Sequence, residues 1–565
     1  MGILAFVIGT LILRPIQVLF WAPLRAFVFF YIHVATGIPR KIRQAKKLSE
    51  NPWTSLDSYD PLLLVSATEL ARRIRAGELS SEAVVKAYIR RIQKVNPLIN
   101  AVVANRFETA ILEARNVDRL VARDGLPNGH SAQEKPFWGV PITVKESIAV
   151  QGMPNTYGLV WRTSGTYSPA QEHSVRAQKL IDAGFIILGV TNICEALMTG
   201  ESDNRVYGRT FNPYDLARNP GGSSSGEGAI VGAAGSVIGV GTDLGGSIRM
   251  PAFFCGVFGH KTTAEWIPKE KPNFMSPLTA EKAACSSTGP LCRYAEDMAP
   301  FVSALIGRDI GDPRSIDLSK LRVVAFPDGL GHSMLISKLD PALHTAVIDV
   351  TSYLAQQVVG QENVIMAQMP SYISQASVKF GPMIATGERT LPEILGGEGM
   401  PHADLTRELA SFIKGSSNYT GYSFQNHLLR ILPTPKGTRE QVVPFWNKLR
   451  DHLETLMGEN GVMIFPPHPC VARPHGTDFF NRPNLMYTAI FNALGFPATQ
   501  VPLGLNKDGL PLGVQVIARK GDDLKTIAVA IQLEKRFGGW TPPRRFGAPL
   551  PEHDTEKLYN HRMKK

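Results

Sequence analysis

Three segments carry residue types that could do nucleophilic chemistry together. In the first, Val140-Pro141-Ile142-Thr143-Val144 is an apolar run and Lys145 follows it directly. A lysine that ends a buried strand loses hydration, which lowers its pKa by up to about 3–5 units when burial is complete. Neutral, it is a usable general base. If it stays hydrated, it is an ordinary lysine reaching for solvent. The second segment is Gly221-Gly222-Ser223-Ser224-Ser225-Gly226-Glu227-Gly228. It can let backbone approach a ligand closely, or it can be a tight turn before a helix. The third is Gly241-Thr242-Asp243-Leu244-Gly245-Gly246-Ser247-Ile248-Arg249-Met250-Pro251. Here Leu244, Gly245, Gly246 and Ser247 can offer successive backbone N–H groups to a developing oxyanion.

Two rival patterns occupy the same stretch. Gly239-x-Gly241 with Gly245 lacks the G-x-G-x-x-G spacing of a dinucleotide loop. Gly222-Ser223-Ser224-Ser225-Gly226 fits G-x-S-x-G, the strand-to-helix elbow that would make Ser224 a nucleophile. That reading needs an Asp and a His downstream and leaves Lys145 and Ser247 idle.

The elements that must position these residues alternate between strand and helix patterns. Ser66-x-x-Glu69 has the form of a capping box and starts a helix. A second helix follows Ser80-Ser81, with Val85, Tyr88, Ile92 and Val95 on its apolar face. Residues 139–144 and 185–190 read as buried strands, with a helical pattern before the second. Residues 229–240 read as a small-residue helix packed on a sheet. Helical patterns near 342–358 and 442–457 precede a return to α/β character over 484–515. The alternation predicts an α/β fold: one large α/β/α domain with a twisted mixed sheet covered by helices on both faces.

The net charge of +11 is not spread over a nucleic-acid-binding face. Arg14, Arg25, Arg40, Lys41, Arg43, Lys46 and Lys47 against Glu50 place more than half of it in the first fifty residues. These accompany apolar runs at 3–13 and 16–36, and either 3–24 or 16–36 has the length of about 20 residues that a membrane span needs. Each candidate span contains an arginine, which costs about 2.5–3.5 kcal/mol at a bilayer centre. The segment is therefore a span or hairpin with a snorkelling arginine, or a helix in the interface plane. A cleaved secretory signal lacks the basic start and the small-residue cleavage site. Residues 1–47 are thus expected to form an anchor and 48–65 a linker, with residues 66–565 forming the catalytic domain. The basic cluster after the apolar run places that domain on the cytosolic side; an endoplasmic reticulum or lipid-droplet surface is compatible. The five cysteines are odd in number and contain no CxxC pair, so neither a disulfide framework nor a zinc site is indicated.

Together the three segments resemble the amidase signature family, with the signature covering about residues 141–261. Within it, the chain is most similar to the membrane-anchored fatty-acid amide hydrolases. Supporting stretches are Gln151-Gly152-Met153-Pro154-Asn155, the run 246–254, Cys292-Arg293-Tyr294-Ala295-Glu296-Asp297 and the run 509–516. The resemblance implies a triad of Lys145, Ser223 after a cis peptide bond, and Ser247 as nucleophile, 24 residues beyond Ser223. It also implies Ser224, Asp243 and Arg249 in support, with the last two tying the nucleophile loop to the serine loop, and Met198 in a substrate channel. It implies a lipid amide substrate and a membrane, requires no metal or other cofactor, and allows a homodimer. Three departures stand out. Ser225 replaces the usual glycine, 264–272 differs from the usual turn, and 370–440 matches poorly. An inactive membrane scaffold of the same fold is disfavoured by intact Lys145, Ser223 and Ser247. A soluble, partnered amidotransferase subunit is disfavoured by the hydrophobic N-terminus.

Overall fold

A computed structural model describes residues 60–124, 131–163, 168–267, 284–331, 336–385, 411, 417–423, 441–477 and 481–543. The expected anchor and residues 48–59 of the linker lie outside the described residues. Among the described residues, no helix is long and apolar enough to cross a membrane.

Among the described residues, eleven strands form one mixed sheet, in the order β1-β3-β2-β4-β6-β5-β10-β11-β9-β7-β8. The strands are β1 (Val102–Asn105), β2 (Pro141–Lys145), β3 (Ile186–Thr191), β4 (Ile238–Asp243), β5 (Phe258–Lys261), β6 (Ser287–Cys292), β7 (Arg322–Ala325), β8 (Val364–Met366), β9 (Gly461–Phe465), β10 (Ala498–Leu505) and β11 (Pro511–Ala518). The helices that matter below are α1 (Ala67–Arg75), α2 (Ser81–Ile99), α3 (Val175–Asp182), α4 (Ser225–Gly232), α5 (Arg249–Phe254), α6 (Pro341–Leu354), α7 (Val442–Met457), α8 (Met486–Ala493) and α9 (Asp523–Phe537).

Strand side chains alternate between faces, and the core shows it. Val323 and Ala325 of β7, with Val462 and Ile464 of β9, join the cluster that includes Val347 and Val350 of α6 and Ile527 of α9. The intervening Val324, Met463 and Phe465 join a second cluster with Trp446, Leu449 and Leu453 of α7. Apolar side chains on both faces are covered, as expected of a sheet with helices on either side.

The predicted helix starts are present. Ser66 Oγ accepts the Glu69 amide at the start of α1, and Ser80 Oγ accepts that of Ala83 before α2. Glu69 does not complete the capping box by reaching back; it pairs with Arg72 and Arg73. Val85, Tyr88, Ile92 and Val95 are buried. The one helix over 229–240 is not found. Helix α4 ends at Gly232, Ala234 takes a φ of 59°, and β4 begins at Ile238. Small residues suited both elements, so composition did not mark the reversal. The pattern over 342–358 also resolves into two pieces, α6 and a π turn over Ala355–Val359.

The sheet sets up one functional edge. β2 runs parallel to both β3 and β4, with α3 as the crossover between β2 and β3. Their carboxyl ends therefore emerge together, the place where open α/β sheets bind ligands. Lys145 ends β2 opposite Thr191 of β3, while Thr242 and Asp243 end β4.

Candidate active site

Lys145 is fully buried at this edge. Its Nζ donates to Ser223 Oγ at 2.7 Å, to Thr242 Oγ1 at 2.8 Å and to the Thr242 carbonyl at 3.4 Å. Among the described residues it makes no ion pair. Burial lowers its pKa to about 7, with Cys194, Asp243 and Glu227 pulling modestly the other way. A neutral amine has a lone pair, so the contact with Ser223 can carry that hydroxyl's proton onto the lysine.

The acidic groups nearby are engaged elsewhere. Glu227, in the first turn of α4, accepts from Thr143 Oγ1 at 2.7 Å and Thr191 Oγ1 at 2.9 Å. Burial pushes its pKa up to about 8 against those two bonds. Glu146 accepts from the Thr156 amide and hydroxyl, the Tyr157 amide and the Tyr207 hydroxyl. Asp243 pairs with Arg249 in a fully buried contact of 3.1 Å. Burial alone would raise its pKa, but the Arg249 guanidinium overrules it and holds the carboxyl well below the ordinary range.

Ser223 lies in the glycine-rich loop, after a cis Gly222–Ser223 peptide as the resemblance implied. The loop is tightly enclosed. A Cβ on Gly222 would lie 2.7 Å from the Thr199 carbonyl, and one on Gly221, whose φ is 84°, would lie 2.7 Å from Pro251 Cα. Ser247 is half-buried in the neighbouring loop. The two loops are joined by the Ser224 amide donating to the Ser247 carbonyl at 3.2 Å. Among the described residues, no hydrogen bond links the hydroxyls of Ser223 and Ser247.

The nucleophile loop is held by Asp243, whose carboxylate accepts the amides of Gly246 at 2.7 Å and Ile248 at 3.1 Å. Of the amides expected to face an oxyanion, that of Gly246 is therefore already engaged. Those of Gly245 and Ser247 have no protein acceptor among the described residues. Among the described residues, Arg249 and Asp243 make no hydrogen bond to the serine loop, contrary to expectation. Arg249 bonds to the Thr488 carbonyl, Gln515 and Asn492, and Asn492 also donates to Asp243. These partners belong to α8 and β11, which the sequence reading did not connect to the site.

Ser224 is buried, and its hydroxyl lies 3.4 Å from the Thr242 carbonyl. No strand enters its loop, since 212–220 has no regular structure apart from one isolated bridge. The strand-to-helix elbow required by the G-x-S-x-G reading is absent there. Met198 is half-buried and packs against the cluster of Tyr157, Leu159 and Ala196. Among the described residues, no group of three or more His, Cys, Asp or Glu side chains is placed to hold a metal.

With this geometry in hand, likenesses to known proteins are informative. A family model described as Amidase matches residues 83–357 and 434–527. The unmatched interval contains most of 370–440, the region expected to depart. The chain is 41% identical over 498 residues to fatty-acid amide hydrolase 2-A of Danio rerio, covering 86% of this chain and 91% of that one. It is 40% identical over 498 residues to fatty-acid amide hydrolase 2 of Homo sapiens, covering 86% and 92%. A solved fatty acid amide hydrolase shares the fold with a TM-score of 0.68 at 23% identity, covering 89% of this chain and 90% of that chain.

The buried amine makes stability depend on pH. The folded protein holds the Lys145 proton only below about pH 7, whereas an ordinary lysine keeps it to 10.5. Between those values the unfolded chain binds the extra proton, so lowering pH through the window destabilises the fold. Lys145→Met is expected to flatten the rise of unfolding free energy across this window, by up to about 1.4 kcal/mol per pH unit. Denaturant melts of both proteins at matched pH read the effect; equal slopes would contradict the assignment.

Proposed function

The chain belongs to the amidase family and is an amidohydrolase acting on C–N amide bonds; from that premise we propose that it hydrolyses fatty-acid amides to free fatty acid and amine through Lys145, Ser223 and Ser247. The observation that carries this reading is the 2.7 Å contact between the buried Lys145 amine and Ser223 Oγ. Neutral Lys145 takes the Ser223 proton as Ser223 takes that of Ser247, and Ser247 Oγ attacks the amide carbonyl. Free loop amides, including those of Gly245 and Ser247, receive the oxyanion. The proton returns through Ser223 to the departing amine, and water then cleaves the acyl-enzyme. The Ser223 and Ser247 hydroxyls come into hydrogen-bond contact when substrate is bound; catalytic hydrogen bonds are commonly longer without it. The fatty-acid amide substrate is supported by the likeness to two fatty-acid amide hydrolases at 40–41% identity.

Ser247→Ala is expected to lower amide turnover by about four orders of magnitude and to abolish fluorophosphonate labelling. Labelling that survives in Ser247→Ala but vanishes in Ser224→Ala would overturn the assignment. Lys145→Ala should slow amides at least about 100-fold more than matched esters, whose leaving groups need less protonation. Equal losses would remove Lys145 from the acid step.

The same reading gives residues 1–47 the role of membrane anchor, supported by their apolar runs and basic flank. Protein lacking them is expected to keep its rate on a soluble short-chain amide and to lose sedimentation with vesicles at high salt, which screens charge but not hydrophobic insertion. Full sedimentation of the shortened protein would refute the anchor.

A further inference from the structure

Met198 sits at the end of a turn with unusual backbone. Ala196 and Leu197 adopt φ values of 52° and 60°, left-handed conformations that non-glycine residues rarely take. Such a conformation persists only where its surroundings fix it. Three bonds do part of this: the Ala196 amide donates to the Tyr157 carbonyl at 2.9 Å, that of Leu197 to Cys194 at 3.1 Å, and that of Glu195 to Asp203 at 3.0 Å. The turn continues into Thr199 and Gly200, whose backbone lies against Gly222 beside Ser223. The Met198 turn thus stands directly beside the serine loop.

Glu195 opens this turn with its carboxylate buried. Among the described residues, its side-chain partners all come from a segment distant in sequence. Glu195 accepts the Thr420 amide at 3.0 Å, the Thr420 hydroxyl at 2.9 Å and the Ser423 hydroxyl in a short contact. The same segment is fastened a second time, by Arg205 Nε donating to the Tyr419 carbonyl at 3.2 Å. Tyr419 also packs against the buried apolar cluster of Tyr157, Leu159 and Ala196, as Trp161, Leu197 and Met198 do. Residues 417–423 fall inside the interval 358–433 that the family model leaves unmatched. A carboxylate on the matched framework thus holds a segment outside the family model's match against the turn beside Ser223.

We infer that Glu195 is a positioning residue: it docks 417–423 onto the Met198 turn, and the docked segment decides how well the site accepts long apolar acyl chains. The inference rests on the reading of the chain as a fatty-acid amide hydrolase. The chemistry of the reacting carbonyl does not pass through Glu195. Its loss should spare the reaction itself and change the binding of the part of the substrate that lies against the apolar cluster.

The test compares Glu195→Ala, Glu195→Gln and the double variant Thr420→Ala/Ser423→Ala with the full wild-type chain. Substrates are primary amides of saturated acids, from short to long, together with a small fluorophosphonate. Glu195→Ala and the double variant should raise KM for the long-chain amide by about tenfold. Turnover number, short-chain KM and phosphonate labelling should stay within about twofold of wild type. Glu195→Gln keeps one carbonyl acceptor and should restore part of the long-chain KM. Should Glu195→Ala fail to fold, the double variant decides, since it leaves the framework carboxylate in place. Unchanged chain-length dependence in a folded variant would overturn the inference. So would a loss of equal size on every substrate and on labelling, which is the mark of a merely structural carboxylate. Wild-type protein that labels with the phosphonate but cleaves no long-chain amide would instead refute the fatty-amide reading on which it rests.

Discussion

An amine carried into a protein interior loses its hydration, and unless a counter-charge meets it there the proton leaves instead. The site around Lys145 is organised so that no counter-charge does. Asp243 and Glu227 act on Lys145 through space, Glu146 follows it in the chain, and each of the three carboxyl groups is engaged by other groups. Glu227 is held by two threonine hydroxyls from β2 and β3, Glu146 by Thr156, Tyr157 and Tyr207, and Asp243 by Arg249 and Asn492. What remains for Lys145 is two hydroxyls and one carbonyl. These partners suit a neutral amine as well as a charged one. A direct ion pair would have favoured the charged form and removed the base.

The placement follows from the parallel strands β3, β2 and β4. Their common direction brings Thr191, Lys145 and Thr242 to one edge, and the loops after them carry the two serines and the Met198 turn. Asp243 then does two things. It cancels the Arg249 charge within the core, and it gathers the amides of Gly246 and Ile248 so that the nucleophile loop keeps its shape. Through Arg249, Thr488 and Gln515 the loop is fastened to α8 and β11, so the distant half of the sheet supports the local geometry. Small residues make the close approach feasible. Helix α4 is buried along its whole length, and side chains at Gly222 or Gly228 would collide with backbone.

Much of this was legible from residue types and spacing. Lys145 after an apolar run, and serines 24 positions apart in glycine-rich loops, named the candidate site. Helical periodicity placed α2 and α7 correctly, because their apolar stripes face a core and little else constrains them. The partners of the site were not legible. Thr242, Glu227, Glu146, Thr488 and Gln515 are single polar residues whose roles arise only when strands align, and no local pattern marks them. The turn at 233–237 was hidden because small apolar residues serve helix and strand equally there. Glu195 was missed for a similar reason, since its partners lie 225 and 228 residues away along the chain.

The mechanism requires Lys145 to give up its proton near neutral pH. The direct measurement is a titration of the folded protein carrying carbon-13 at lysine Cε, followed by nuclear magnetic resonance. The Lys145 resonance is identified by its disappearance in Lys145→Met. Lys261, also buried and lowered to about 7, is identified in the same way by its own methionine variant. The Lys145 resonance is expected to titrate with a midpoint near 7. A midpoint near the ordinary lysine value of 10.5 would show that the amine stays charged at its hydroxyl partners, and would contradict the mechanism.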